Sequence, residues 1–371
     1  MNLIFLSDQG YPYGMAGSKR IRLFAEYLAS KNKVKIIIAA ENNGNNESSG
    51  SEKNVAFQFI RFSKFQNLFS YFKIKMILKN NYLPGEKNIL FLYDNVTLMN
   101  ILFAVAGKKI GYKIITDIVE DYSLTKENES LQRRIQYKVS NLIQKRLNSL
   151  VDGVVIISEY LFKKYSHLRS RVLIPVSAEN LHINFSDVPK TSQDINMVYS
   201  GSFGNKDGII DLLMAFKIIS QRFENVQLTL SGKINEKITN EIKGNDRIKY
   251  VGLISDDKYY SFLQEADILL MTRVNSEYAN AGFPFKLGEY LATGNPVIAT
   301  KVSDVEIYLK DKVDAILAEA SNVQSLVSAF EFAITEREEA NMIGKSGKEK
   351  CTLFFDPKKN GETLQTFLNS I

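Results

Sequence analysis

Residues 282–300, GFPFKLGEYLATGNPVIAT, hold the pattern that decides the fold. A predicted helix, Lys286–Thr293, follows Pro284, and a short apolar strand, Val297–Thr300, follows the helix. The same alternation of apolar strands and amphipathic helices extends along the chain in both directions. Strands that alternate with helices predict a parallel sheet covered on both faces, which is an α/β fold.

The chemistry of this stretch points to a ligand. Lys286 is expected in the first turn of the helix, where the positive end of the helix dipole disfavours a lysine, so we expect it to meet an anion. Glu289 lies three residues on and shares its face. That face offers a cation for a diphosphate and a carboxylate for sugar hydroxyls. The alternative is an ion pair between the two on a surface helix.

The alternation stops in a polar stretch and restarts at Ile195, and a length of 371 residues also favours two domains. Two open α/β sheets that face each other would leave a ligand-binding cleft at the carboxyl ends of their strands. The polar segment Glu41–Lys53 predicts a loop, and Val323–Glu339 predicts one helix. The predicted division is a Rossmann-like doubly wound domain over 1–178, a linker over 179–194 and a second such domain over 195–356.

Composition excludes several classes of protein. A hydrophobic content of 45% and a charged content of 24% exclude a disordered chain. The one cysteine, Cys351, cannot form an internal disulfide and indicates a reducing compartment. No apolar run approaches the roughly 20 residues of a membrane span, and no secretory leader precedes the first strand. We therefore expect a cytoplasmic protein.

Two loops between a predicted strand and a predicted helix contain glycines that would let the backbone approach an anion. The glycines are Gly14 and Gly17 in the first loop, and Gly201 and Gly204 in the second. Neither the dinucleotide nor the P-loop spacing occurs in the first loop, for which a tight turn capped by Ser18 is the alternative. The second loop adds Lys206, for which an ordinary exposed lysine is the alternative.

The carboxyl half resembles the retaining glycosyltransferases of family 4, which have the GT-B fold. Residues 284–300 are similar to the family's P-x-K-x-x-E-Y-x-A-x-G-x-P-V-I signature, and residues 199–215 to its opening strand, glycine loop and helix. The amino half matches more loosely, through its first loop and Val151–Ser158. The resemblance spans most of the chain. It implies that a last helix, 357–371, packs back on the first domain.

The resemblance implies a role for each matching residue. Glu289 matches the glutamate that binds the ribose hydroxyls of the donor, and Lys286 matches a lysine near the donor diphosphate. The implied donor-binding residues are Glu289, Lys286, Phe285, Leu287, Gly201, Gly204, Gly14 and Gly17. Two positions depart from the family: Ala281 stands where a glutamate often contacts the transferred sugar, and Ser202 stands where an arginine is common.

We therefore expect transfer of a sugar, with retention, from a nucleotide diphosphate donor, with a UDP-sugar favoured. Lys286 and Lys206 would stabilise the charge on the leaving diphosphate. Glu120 or Asp121, which follow a predicted strand, would position the acceptor hydroxyl; a solvated acidic loop is the alternative. No D-x-D triplet or zinc spacing occurs, so we expect no metal and no cofactor beyond the donor substrate.

Two other functions stay open. Ala281 favours a non-catalytic glycosyltransferase-like partner protein, and a GT-B-like sugar-nucleotide epimerase is a further alternative. The two histidines, His167 and His182, are expected to be structural or exposed.

The amino half is basic, which bears on its partners. Residues 1–175 contain 26 Lys and Arg against 14 Asp and Glu, whereas the rest of the chain contains 21 against 27. Within Leu131–Arg171, apolar residues recur at helical spacing among nine basic residues. Such a segment suits an anionic membrane surface, so we expect the protein to be peripheral on the inner face of the cell membrane. The expected acceptor is then lipid-linked or a polysaccharide, and the expected process is bacterial cell-surface polysaccharide synthesis. The alternative is that the apolar stripe faces the core. Nucleic acid is not expected, because no stacking aromatics interleave with the basic residues.

Overall fold

The computed structural model describes residues 1–8, 10–12, 14, 16–39, 49–61, 67–93, 97–121, 124, 131–179, 181 and 194–371. The chain forms two compact units. The first contains Met1–Pro175 together with Pro357–Ile371, and the second contains Val176–Asp356. Most of the predicted linker, 179–194, lies outside the described residues.

The first unit is an eight-stranded sheet with helices on both faces. Its strands are β1 (Asn2–Ser7), β2 (Lys33–Ile38), β3 (Ser49–Glu52), β4 (Val55–Phe59), β5 (Asn88–Tyr93), β6 (Lys113–Ile118), β7 (Gly153–Ile156) and β8 (Arg171–Leu173). Its helices are α1 (Ala16–Ala29), α2 (Asn67–Asn80), α3 (Leu98–Ile110), α4 (Leu131–Asn148), α5 (Glu159–Lys164) and, at the end of the chain, α14 (Pro357–Ser370). The strand order is β3-β4-β2-β1-β5-β6-β7-β8, and all neighbours are parallel except β3 and β4.

The sheet of the first unit is buried on both faces, which explains why its strands are almost continuously apolar. Every residue of β1 and of β5 is buried. On one face, α2, α3 and α4 cover the sheet through Ile74, Phe103 and Leu147. The last helix, α14, packs on α1. A Cβ at Gly361 would lie 2.3 Å from the ring of Tyr27, so only glycine permits this approach.

A buried ion pair joins the first helix of this unit to its sheet. Arg20 on α1 donates from Nε to Asp117 on β6 at 2.6 Å, and both side chains are at most 1% exposed. The guanidinium also donates to the carbonyl oxygens of Ile174 and Pro175, where the chain leaves the first unit. One side chain therefore fixes three segments at once.

The second unit is a fully parallel sheet in the order β11-β10-β9-β12-β13-β14. Its strands are β9 (Ile195–Ser200), β10 (Val226–Ser231), β11 (Ile248–Gly252), β12 (Ile268–Met271), β13 (Val297–Thr300) and β14 (Ile316–Ala318). Its helices are α6 (Ile209–Arg222), α7 (Glu236–Ile242), α8 (Asp256–Gln264), α9 (Glu277–Ala281), α10 (Phe285–Thr293), α11 (Val305–Tyr308), α12 (Val323–Thr335) and α13 (Arg337–Phe354). The prediction of an α/β fold with parallel sheets is confirmed.

Three local predictions are wrong. Ser49–Glu52, predicted as loop, pairs antiparallel with β4; residues 41–48 of that prediction lie outside the described residues. The helix predicted over 323–339 is two helices that meet at Glu336. Ser18 does not cap a turn, because α1 already begins at Ala16.

The apolar stripe of α4 divides between core and surface. Leu147 is buried, whereas Leu131, Ile135, Val139 and Leu142 are exposed. The alternative that this stripe faces the core is therefore wrong for the first three turns of the helix. In the described part of the chain, no helix is long and apolar enough to cross a membrane.

Replacing Arg20 by Met is expected to lower the free energy of unfolding by about 3–5 kcal/mol, because the buried Asp117 carboxyl would lose its charged partner. Replacing both residues, as Arg20→Met with Asp117→Leu, is expected to cost less than the single change. Arg222→Met, which breaks an exposed pair with Glu331 at 3.1 Å, serves as the control and is expected to cost about 1 kcal/mol or less. Urea denaturation measures all three. Equal losses in Arg20→Met and the control would contradict the role of the buried pair.

Candidate functional site

The loops that follow β9 and β12 meet at the carboxyl edge of the second sheet. From β9 the chain passes to β10 on one side and later reaches β12 on the other, which is the topological switch point where open α/β sheets bind ligands. Thr272 Oγ1 donates to the carbonyl oxygen of Asp207 at 2.9 Å, and the Val274 N–H donates to that of Lys206 at 3.2 Å. These bonds hold the glycine loop, residues 201–208, against the end of β12.

Lys286 lies against this glycine loop. It is the second residue of α10 and so lies in the first turn, as predicted. Its Nζ donates to Tyr199 Oη at 2.7 Å and to Asp207 Oδ1 at 3.4 Å. A Cβ at Gly201 would lie 2.6 Å from that Nζ, so the glycine makes room for the ammonium group. The alternative of a surface ion pair with Glu289 is wrong, because Lys286 bonds to Tyr199 on β9 and to Asp207 in the glycine loop.

Asp207 organises the loop, and the sequence analysis did not single it out. Its side chain is 2% exposed, and its Oδ2 accepts from Ser202 Oγ at 2.6 Å and from the Gly204 N–H at 3.0 Å. The available signal was its position three residues after Gly204, from which a carboxylate caps a turn. The Ser202 departure from the family therefore has a structural consequence, since Ser202 binds Asp207.

The surroundings of Lys286 and Asp207 shift the pKa values of both side chains. Burial lowers the pKa of Lys286 to about 8, although the Asp207 carboxylate opposes the shift. Burial also acts on Asp207, but the charge of Lys286 and the hydrogen bond from Ser202 outweigh it and hold the pKa of Asp207 below its usual value. At neutral pH, which lies below this pKa, Lys286 is therefore mainly a buried cation.

Glu289 and Tyr290 follow on the same helix. Glu289 is half-buried, and its Oε2 accepts from Tyr259 Oη at 3.2 Å. The Ser200 N–H donates to Tyr290 Oη at 2.8 Å, and the Tyr290 hydroxyl donates to the Ser200 carbonyl oxygen at 2.7 Å. These two hydrogen bonds fix α10 to the end of β9 and so set where Lys286 and Glu289 lie. Sequence reasoning missed the roles of Tyr199, Tyr259 and Tyr290.

The other residues predicted in this unit differ in what they offer a ligand. The Lys206 ammonium lies 5.2 Å from the ring centre of Tyr278, and the Gly204 N–H is engaged by Asp207. Phe285 is half-buried. Leu287 lies in the core at 0% exposure and its N–H donates to Pro284, so the structure places it outside the site.

The predicted residues of the first unit lie at the corresponding edge of its own sheet. Gly14 and Gly17 follow β1, which is flanked by β2 and β5 and so marks a second switch point. A Cβ at Gly17 would lie 2.8 Å from Tyr93 Oη, at the end of β5. Ser18 is 1% exposed, and its Oγ has no hydrogen-bond partner among the described residues.

The acidic residues after β6 have different surroundings. Asp121 is 1% exposed and pairs with Lys164, so the alternative of a solvated acidic loop is wrong for it. Glu120 is half-buried. His167 is exposed, and His182 lies outside the described residues. In the described parts of both units, no three His, Cys, Asp or Glu side chains form a candidate metal site.

Comparison with known proteins shows what the second unit resembles. Residues 183–350 match the family described as "Glycosyl transferases group 1". The uncharacterized glycosyltransferase MJ1178 of Methanocaldococcus jannaschii is 26% identical over 202 residues, which are 53% of this chain and 54% of that protein. The match thus spans about half the length of this curated relative. The resemblance to the glycosyltransferases is confirmed over this part of the chain.

Solved structures resemble the chain over its whole length. Anabaena Alr3699/HepE, crystallised with UDP-glucose, has a TM-score of 0.77 at 14% identity, and the match covers 100% of both chains. Sucrose-phosphate synthase of Thermosynechococcus elongatus has a TM-score of 0.75 at 15% identity, covering 100% of this chain and 99% of that one. At such low identity these likenesses establish the fold alone, and they confirm the predicted GT-B fold class.

The loss of the Lys286 proton is expected to weaken binding of an anion such as UDP as the pH rises through about 8. Asp207→Asn keeps the size of the side chain but removes the carboxylate that raises the pKa of Lys286. In this variant, the affinity is therefore expected to fall at a lower pH than in the wild type. Calorimetric titration between pH 6 and pH 10 at roughly unit intervals measures the midpoint. Asp211→Asn, in the first turn of α6, is the control and should keep the wild-type midpoint. A wild-type affinity that stays constant over this range would contradict the assignment.

Proposed function

We propose that this chain is a glycosyltransferase that moves a sugar, with retention, from a UDP-sugar to a lipid-linked or polysaccharide acceptor. The observation that carries the proposal is the position of Lys286, a buried cation against Gly201 at the switch point of the second sheet. Glu289 lies one turn further along the same helix. The Lys286 cation suits the diphosphate of a nucleoside diphosphate, and the Glu289 carboxylate suits its ribose hydroxyls.

The site residues fit the charge that develops during transfer. As the bond from the anomeric carbon to the diphosphate oxygen breaks, negative charge grows on the leaving diphosphate, and Lys286 stabilises it together with Lys206. The acceptor oxygen forms the new bond to the anomeric carbon, and the leaving phosphate takes the acceptor's proton. The two lysines fill the charge-neutralising role without a metal ion, which is why we propose a metal-independent reaction.

The choice of UDP rests on similarity. The HepE structure, which shares this fold, contains UDP-glucose, and the family match covers the whole glycine loop and α10. In the first unit, Glu120 remains the candidate for positioning the acceptor hydroxyl. Asp121 forms an ion pair with Lys164, so we propose that it positions the loop after β6 instead.

Binding of the nucleotide tests the donor site first. Titration with UDP, GDP, ADP and their sugar conjugates is expected to show selective binding of UDP and UDP-sugars. Glu289→Gln keeps an acceptor for the Tyr259 hydroxyl but loses the charge, so we expect affinity to fall about tenfold to a hundredfold.

The matched control is Glu331→Gln, an exposed glutamate on α12 that should bind UDP like the wild type. If a folded wild-type protein binds none of these nucleotides, the donor site is refuted and the non-catalytic partner becomes the better explanation.

Transfer is tested through Lys286. Lys286→Met fills the same volume without the charge and is expected to lower the rate of UDP release from UDP-glucose by about a hundredfold to a thousandfold. Lys217→Met, at an exposed position on α6, is the control. Tight UDP-sugar binding with no release of UDP in any acceptor mixture would favour the non-catalytic partner, and an isomerised donor would identify an epimerase.

A further inference from the structure

The three helices α2, α3 and α4, which we call the helical layer, have an outer surface that the proposed donor site does not use. α3 packs between α2 and α4, and their inner sides cover one face of the first sheet. Of the fifteen large apolar side chains that are exposed among the described residues, seven lie on these three helices. Exposed apolar side chains are thus concentrated here, and such concentrations mark interaction surfaces.

The exposed side chains form rows along the helices. On α4, Leu131, Ile135, Val139 and Leu142 are 73%, 54%, 49% and 66% exposed, and their spacing of four, four and three residues places them on one side.

α2 repeats this arrangement on a smaller scale. Phe72 and Met76 are 61% and 57% exposed, and each lies two residues before a fully buried residue, Ile74 and Leu78. Two residues correspond to about 200° around a helix, so the exposed row lies opposite the core. Leu98, at the start of α3, is also exposed.

The charge of the helical layer has one sign. The sequences of the three helices contain ten Lys and Arg and no Asp or Glu. On α4, Arg134, Lys138, Lys145 and Arg146 are exposed beside the apolar row. By contrast, α13 in the second unit also exposes Met342, but Glu338 and Glu339 stand in its first turn.

We propose that the helical layer is a membrane-docking surface whose occupant is an anionic lipid bilayer. Apolar side chains that enter the acyl boundary and cations that meet the headgroups are the two signals that stable peripheral binding requires. Nucleic acid would account for the cations but not for the apolar rows, and a neutral protein partner would account for the rows but not for the single sign of charge. The proposal goes beyond the donor site, because every residue that carries it belongs to the first unit.

Vesicle flotation of the full chain tests this docking surface. We expect the protein to float with vesicles that contain phosphatidylglycerol and phosphatidylcholine, and to float much less with phosphatidylcholine alone. High salt should weaken the binding, because it screens the headgroup charge.

Two pairs of substitutions separate the two signals. Leu131→Ser with Leu142→Ser should lower the vesicle partition coefficient about tenfold or more, because two apolar side chains leave the acyl boundary. Arg134→Gln with Lys138→Gln should lower it about fivefold per residue on anionic vesicles. The matched control is Leu253→Ser with Met342→Ser, at 73% and 64% exposure in the second unit, which should bind vesicles like the wild type.

Thermal unfolding and UDP titration of each variant separate this proposal from folding and from the donor site, since both should match the wild type. The proposal is overturned if the wild type does not float with anionic vesicles, or if the control pair loses binding as much as the Leu131 and Leu142 pair. It is also overturned if sedimentation shows a dimer that the Leu131 and Leu142 pair disrupts while vesicle binding is absent. In that case the occupant is a second copy of the chain.

Discussion

The ion pair between Lys286 and Asp207 is the interaction on which the geometry of the candidate site depends. Burying one of these charges alone would be costly, so each keeps the other charged, and hydrogen bonds from Ser202 and Gly204 satisfy the rest of the carboxylate. The pair connects the glycine loop after β9 to the first turn of α10. It therefore holds a cation where the dipole of α10 also favours an anion.

Both units place glycine at the carboxyl end of a central strand in the same way. In each, a central strand, β1 or β9, ends at a switch point where the chain first turns to one side and later to the other. Glycine is needed at these points because another group comes too close for a Cβ: the Tyr93 ring at Gly17, and the Lys286 ammonium at Gly201. The second loop is distinguished by Asp207, whose buried carboxylate pairs with Lys286 on α10.

Much of the fold and part of the site were predictable from local patterns. The apolar runs of β1, β5 and β9 and the start of α10 after Pro284 follow from periodicity and helix-start signals, which act within a few residues. Ser49–Glu52 was missed because its strand is polar and exists only by pairing with β4. The break between α12 and α13 was missed because no proline or glycine marks it.

The sequence by itself determined the parallel α/β class, the family resemblance and the placement of Lys286 and Glu289 on one helix, because these depend on residue type and spacing. Only the tertiary structure decided that Lys286 pairs with Asp207 rather than with Glu289, and that Leu287 belongs to the core. It also decided that the apolar row of α4 faces outward over three turns while Leu147 faces the sheet. Those outcomes depend on which segments, distant along the chain, the sheet brings together, and helical spacing alone does not specify which side of a helix the core will cover.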